Sequence, residues 1–162
     1  MFQLNEDEIA ARAERAKNYF TNGFNCAQSV YMAYADLFGI NTKQAAIIAA
    51  PMGGGMGRLR EVCGACSASF LIAGLATPCD DPSNMQAKKE CYAMVQRLAE
   101  RFREQNGSII CRELLGLSEK KDSPTPSPRT AEYYKKRPCA ELVYLAALNT
   151  GKELSLNQNI QN

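Results

Sequence analysis

No stretch of this chain alternates apolar and polar residues with a period of two, so nothing in it reads as a half-buried strand. Apolar residues recur instead at spacings of three and four, between helix-start and helix-stop residues. Ile9, Ala13, Ala16 and Phe20 share one face of a first helix, from about Glu6 to Phe20, ended by Asn22-Gly23. Asn25 caps a second helix that is expected to run to Phe38, before Gly39, with Cys26, Val30, Ala33 and Leu37 as its stripe. A third starts near Asn41 or Thr42 and stops at Pro51. Gly53-Gly54-Gly55-Met56-Gly57-Arg58 reads as a flexible loop, ahead of a small-residue helix from about Val62 to Leu75. The clearest helix runs from about Pro82 to Gln105, with Ala87, Cys91, Met94, Val95, Leu98 and Phe102 on one face. A short helix holds Cys111 to Leu115, a proline-bearing loop spans Ser118 to Thr130, and the last helix begins at Thr130 or afresh at Pro138. On that helix Cys139, Leu142, Val143 and Ala146 form the inner face. The expectation is an all-α, single-domain bundle of about five to seven helices over residues 1–149, with 150–162 a polar, frayed tail.

The chain's 162 residues, 46% apolar and 22% charged, are enough for a core that needs no disulfide staples. A net charge of +2 gives no nucleic-acid footprint, and Lys135-Lys136-Arg137 reads as a solvated helix end. The acidic opening, Met1 to Glu8, has no apolar core of a secretory signal, and the apolar segment Ala65–Ala76 is too short to span a bilayer. A cytoplasmic protein without membrane insertion is expected.

The chain has no histidine, which removes the usual general base and the commonest metal ligand. It has seven cysteines: Cys26, Cys63, Cys66, Cys79, Cys91, Cys111 and Cys139. An odd count in a cytosolic chain points to metal binding or redox chemistry rather than structural disulfides. Cys26, Cys63, Cys111 and Cys139 each fall in a predicted first helical turn, where free N–H groups and the macrodipole favour a thiolate. Four thiolates suit an iron–sulfur cluster or, alternatively, zinc. Cys63-Gly64-Ala65-Cys66 is a CxxC at a helix start, so Cys63 and Cys66 are also candidates for metal-free thiol–disulfide catalysis. Cys91 reads as a core residue on an apolar stripe, and Cys79 as a turn residue without a role. The glycine run lacks the preceding strand and Lys-Ser/Thr ending of a P-loop, so it reads as a turn that lets backbone approach the cysteines. Glu61 is a candidate proton acceptor.

Asn25-Cys26-Ala27-Gln28-Ser29-Val30, Gly53-Gly54-Gly55-Met56-Gly57, Val62-Cys63-Gly64-Ala65, Cys111-Arg112-Glu113-Leu114-Leu115-Gly116 and Arg137-Pro138-Cys139 occur in that order. This set resembles the C_GCAxxG_C_C family, whose redox-active label is itself inferred from cysteines, over residues from about 10 to 148. The resemblance maps the family cysteines onto Cys26, Cys63, Cys111 and Cys139; Ala68 stands where the family has a glycine. A related domain in the split-Soret type of cytochrome is associated with an iron–sulfur centre, but this chain has no CxxCH haem motif. The resemblance carries no established enzyme activity. The functional expectation is a redox protein whose clustered cysteines hold an iron–sulfur or other thiolate-bound centre for electron transfer or redox sensing, with an electron-transfer or thiol partner. A Cys63/Cys66 thiol–disulfide oxidoreductase and a helical interaction module with core cysteines stay open, as does a homodimer.

Overall fold

A computed structural model describes residues 2–118 and 121–156. Eight helices make up the fold among these residues, one more than the sequence leads one to expect. They are α1 (Glu6–Thr21), α2 (Cys26–Met32), α3 (Thr42–Ala49), α4 (Gly64–Ala76), α5 (Met85–Asn106), α6 (Cys111–Leu114), α7 (Ala131–Lys136) and α8 (Cys139–Leu156). Side-chain caps set most of the starts. Asn5 and Glu8 form a reciprocal capping box on α1, and Asn25 and Gln28 do the same on α2. Asn41, Asn84 and Thr130 each accept an N–H of the first turn of α3, α5 and α7.

The second helix does not reach Phe38. It breaks after Met32, and a 3₁₀ turn covers Ala35–Phe38. Arg12 of α1 causes the break: its guanidinium takes the Ala33 carbonyl (2.7 Å) and the Asp36 carboxylate, so that carbonyl leaves the helical ladder. The α5 start is also later than expected, because Asn84, not Pro82, supplies the cap.

Helices α1, α2, α4, α5 and α8 pack around one core. α2 sits centrally, against α1, α3, α4 and α8. The small-residue face of α4, with Ala65, Ala68, Ile72 and Ala73 fully buried, lets α2, α5 and α8 approach closely. Ile9, Ala13, Ala16 and Phe20 are buried on α1 as their spacing implies, as are Met94, Leu98 and Phe102 on α5.

The expected frayed tail is corrected over its first part. α8 continues to Leu156, with Thr150, Gly151, Glu153 and Leu154 buried. Its polar residues find partners inside the protein: Thr150 bonds to the Ala146 carbonyl and the Ser69 hydroxyl, and one Glu153 oxygen accepts from Arg97 at 2.6 Å. Residues 157–162 lie outside the described residues. No described helix is long and apolar enough to cross a membrane.

Candidate functional site

Cys26, Cys63, Cys111 and Cys139 line one cavity of about 390 Å³. The local backbone explains how such distant cysteines meet. An isolated antiparallel bridge joins Val62 to Ile110. Within it the Cys63 N–H donates to the Ile109 carbonyl (2.7 Å) and the Cys111 N–H to the Glu61 carbonyl (2.6 Å). The starts of α4 and α6 are thereby held side by side. Cys26 opens α2 one residue after Asn25, whose side-chain amide donates to the Ala50 carbonyl at 3.0 Å. That bond docks the α2 start against the glycine segment. Cys139 opens α8 and closes the ring of four.

The glycine segment is a tight, fully specified turn rather than a flexible loop. Gly54 and Gly55 adopt φ of 66° and 68°, so residues 53–56 form no true helix despite one helical hydrogen bond. Met56, Arg58 and Arg60, all non-glycine, also have positive φ, between 59° and 66°. Such backbone costs energy and persists only where surroundings over-determine it. Here Glu61 N–H bonds to the Gly55 carbonyl, Arg112 N–H to the Arg60 carbonyl and Asp122 N–H to the Arg58 carbonyl.

Sequence reasoning missed the polar wall. Arg60 is only 2% exposed; it donates to the Asp122 carboxylate (2.8 Å) and to the Cys111 sulfur (3.6 Å), and its Nε has no partner. Arg58 shares Asp122, at 2.9 Å. The Arg60 hydrogen bond, then the Ser123 N–H, hold the Asp122 carboxyl below its ordinary range, and the Arg58 charge adds to them. Arg129 donates to the Phe20 and Phe24 carbonyls and stacks over the Phe20 ring. The proline-bearing segment is therefore pinned across the cavity, contributing Pro124, Pro126, Ser127 and Arg129 to its lining. Arg137, expected to be solvated, lines the cavity over the Tyr133 ring, while Lys135 and Lys136 are exposed. The residues beside the motif cysteines, Arg60 and Arg137, were the available signal. Glu61 is exposed and pairs with Arg112 (3.1 Å), outside the cavity lining.

Cys66 faces away from the cavity. It is 2% exposed and packs among Ser69, Phe70, Leu98, Phe102 and Ala146, with its thiol close enough to Cys63 to act on it. Cys91 is half-buried rather than core, in contact with Cys79.

The expectation that helix starts depress these thiols is overturned. Burial pushes Cys26 and Cys139 up to about 12, and the neighbouring cavity thiols add to the rise. Cys63 is raised by its contact with Cys66 and then by burial. Burial raises Cys111 too, against the opposing pull of Arg60. Desolvation outweighs the partial charge of these helix starts, which for α6 is a helix of four residues. The sign for stability follows directly. Neutral buried thiols stabilise the metal-free protein fully below the unfolded value of 9.0, and that contribution falls as pH rises toward about 12. Raising the pH from 7 to 10 should cost about 1 kcal/mol for each of Cys26 and Cys139. Urea denaturation at both pH values, for the wild type and Cys26→Ala, measures it; an identical loss in the variant would refute the assignment to Cys26.

Gly55 and Gly64 fit the sulfur sites closely. A Cβ on Gly64 would lie 2.6 Å from the Cys26 sulfur, and one on Gly55 would lie 2.5 Å from the Cys111 Cβ. Among the described residues, no group of three or more Cys, Asp or Glu stands close enough to hold a metal ion as the side chains lie. No curated protein and no solved structure matches the chain. A family described as "Putative redox-active protein (C_GCAxxG_C_C)" matches residues 24–152, a span that contains all four cavity cysteines. The chain belongs to the C_GCAxxG_C_C family.

Proposed function

We propose that Cys26, Cys63, Cys111 and Cys139 hold an iron–sulfur centre used for electron transfer or redox sensing. The observation that carries this reading is the convergence of these four cysteines, from four separate elements, on one cavity. With no histidine in the chain, the donor set is all thiolate, the set that iron–sulfur clusters take. The cavity, about 390 Å³, has room for a polynuclear group. When bound, such a centre supplies one-electron transfer at a potential set by charge, hydrogen bonds and solvent access.

The chain's own residues would do the rest. Arg60 donates toward the Cys111 sulfur, and Arg129 and Arg137 place further positive charge on the wall. These groups offset the charge of four thiolates, which the metal-free cavity disfavours. Leu114, Leu142 and the Pro124–Pro126 segment limit water. We assign the protein to the cytoplasm, where unpaired thiols persist, with an electron-transfer protein as partner.

The contact between Cys63 and Cys66 supports a second reading, a metal-free thiol–disulfide couple. Anaerobic purification without a metal-binding tag separates the two. Iron and acid-labile sulfide in stoichiometric amounts, with visible absorption lost in Cys111→Ser, is the expected result. Zinc alone would make the site structural. Neither metal nor sulfide, after reconstitution with iron and sulfide, would overturn the cluster. A disulfide couple abolished by Cys66→Ser would then favour the second reading, and inert thiols the interaction module.

A further inference from the structure

Cys79 and Cys91 play no part in the cavity, yet the fold brings them together. Cys91 lies seven residues beyond the α5 cap Asn84, about 10 Å along the helix at ~1.5 Å per residue. Cys79 lies five residues before the same cap, a length that reaches about 16 Å when extended. The two can therefore meet only if the chain reverses ahead of α5, and it does. The Asp81 carboxylate accepts from the Ser83 N–H (2.8 Å) and hydroxyl (2.6 Å), and the Asp81 carbonyl accepts from the Asn84 N–H at 3.1 Å. This turn folds Cys79 back over the first turns of α5. Its thiol lies close enough to the Cys91 thiol to feel it, and Lys88 stands near enough to act on it electrostatically. Lys88 and Cys91, at i and i+3, share a helix face. Both thiols are half-exposed, whereas Cys63 and Cys66 are buried.

We propose that Cys79 and Cys91 form a second, surface thiol–disulfide couple, oxidised by low-molecular-weight disulfides and separate from the four-cysteine cavity. One of the two, as thiolate, attacks a sulfur of the reagent disulfide. The reagent's S–S bond breaks, a protein–reagent mixed disulfide forms, and one reagent thiolate leaves. The other protein thiolate then attacks the protein sulfur of that mixed disulfide and displaces the second reagent thiolate. Two protein thiols lose two electrons, the reagent disulfide gains them, and the two thiol protons pass to the departing thiolates. Desolvation and the Cys91 thiol hold the proton on Cys79, while Lys88 pulls the other way. The product staples the connection between α4 and α5 to the α5 face.

Glutathione disulfide is the probe, added to the folded full-length protein. After alkylation and non-reducing proteolysis, mass spectrometry should find a Cys79–Cys91 linkage, with two fewer free thiols per chain, restored by dithiothreitol. Cys79→Ser should trap glutathione on Cys91, and Cys91→Ser should trap it on Cys79, with circular dichroism unchanged. Stable glutathione adducts on both residues of the wild type would overturn the proposal. So would disulfides joining either residue to a cavity cysteine, or no oxidation of the folded protein under conditions that oxidise it in urea.

Discussion

Gly55→Ala is expected to destabilise the metal-free protein by about 3 kcal/mol or more and to collapse the cysteine cavity. Two costs add at this position. At φ +68° an alanine sits in the left-handed region, which costs about 1–2 kcal/mol. Its Cβ would also lie 2.5 Å from the Cys111 Cβ and 2.9 Å from the Arg60 Cα and the Glu61 N. Two of those neighbours are backbone, pinned by the Glu61 N–H to Gly55 and Arg112 N–H to Arg60 hydrogen bonds, so they cannot swing aside. Overpacking of this kind costs about 1–3 kcal/mol. Gly116→Ala separates the two costs. Gly116 has φ +64° with open space around its would-be Cβ, so only the backbone cost of about 1–2 kcal/mol should appear there. Urea denaturation of both variants measures the difference. With a slope of about 2 kcal/mol per molar urea, Gly55→Ala should lower the midpoint by about 1.5 M. Equal losses at the two positions would show that the approach to Cys111 has no energetic weight.

Arg60→Leu is expected to cost about 2 kcal/mol. Removing one member of a buried ion pair can cost about 3–5 kcal/mol when the survivor is stranded. Here the survivor is not stranded: the Asp122 side chain is 40% exposed and keeps Arg58 at 2.9 Å. The remaining loss comes from the unfilled space around a side chain 2% exposed and from the bonds it makes across the turn. Arg60→Lys should recover part of this, because an ammonium can reach Asp122 or Cys111 but cannot fork to both. Denaturation midpoints of the two variants check the order. A lysine variant no better than leucine would mean that a single unforked cation at this position carries none of the effect. If the iron–sulfur reading holds, Arg60→Leu should also shift the reduction potential downward, since positive charge and a donor at the Cys111 sulfur are lost, and Arg60→Lys, which keeps the charge, should shift it less.

The helix inventory was largely legible because its signals are local. Asn25, Asn41 and Thr130 announce starts through their own side chains, and each one caps. The stripe Ile9, Ala13, Ala16, Phe20 announces its buried face. The later α5 start has a local cause, the Asn84 cap, and the other departures have non-local ones. Arg12 reaches from α1 to take a carbonyl from α2, and no window around Ala33 contains that information. The α8 extension looks polar in sequence, but Glu153 is met by Arg97 and Thr150 by Ser69, partners 56 and 81 residues away. Cys91 keeps the spacing of a core stripe yet lies half-exposed beside Cys79, because the turn at Asp81 returns the chain there.

The candidate site divides along the same line. The choice of Cys26, Cys63, Cys111 and Cys139, and the small residues around them, was available from the chain itself, since helix-start position and glycine content are properties of neighbouring residues. Their meeting at one cavity was not. It depends on the Val62–Ile110 bridge and on the Asn25 contact with Ala50, which join segments far apart in sequence. The sign of the thiol shifts was not available either. A sequence shows the helix start that favours a thiolate, while only the packed structure shows the burial that outweighs it. The place of Arg60 beside the motif was visible, but its role was decided by tertiary structure, because burial and the partner Asp122 from a distant loop make it part of the wall. The sequence by itself determined the helices and nominated the sulfur donors, as both follow from short-range hydrogen bonding and periodicity. Their convergence, their protonation and the charge that faces them were decided by tertiary structure, because each depends on contacts and desolvation between residues remote along the chain.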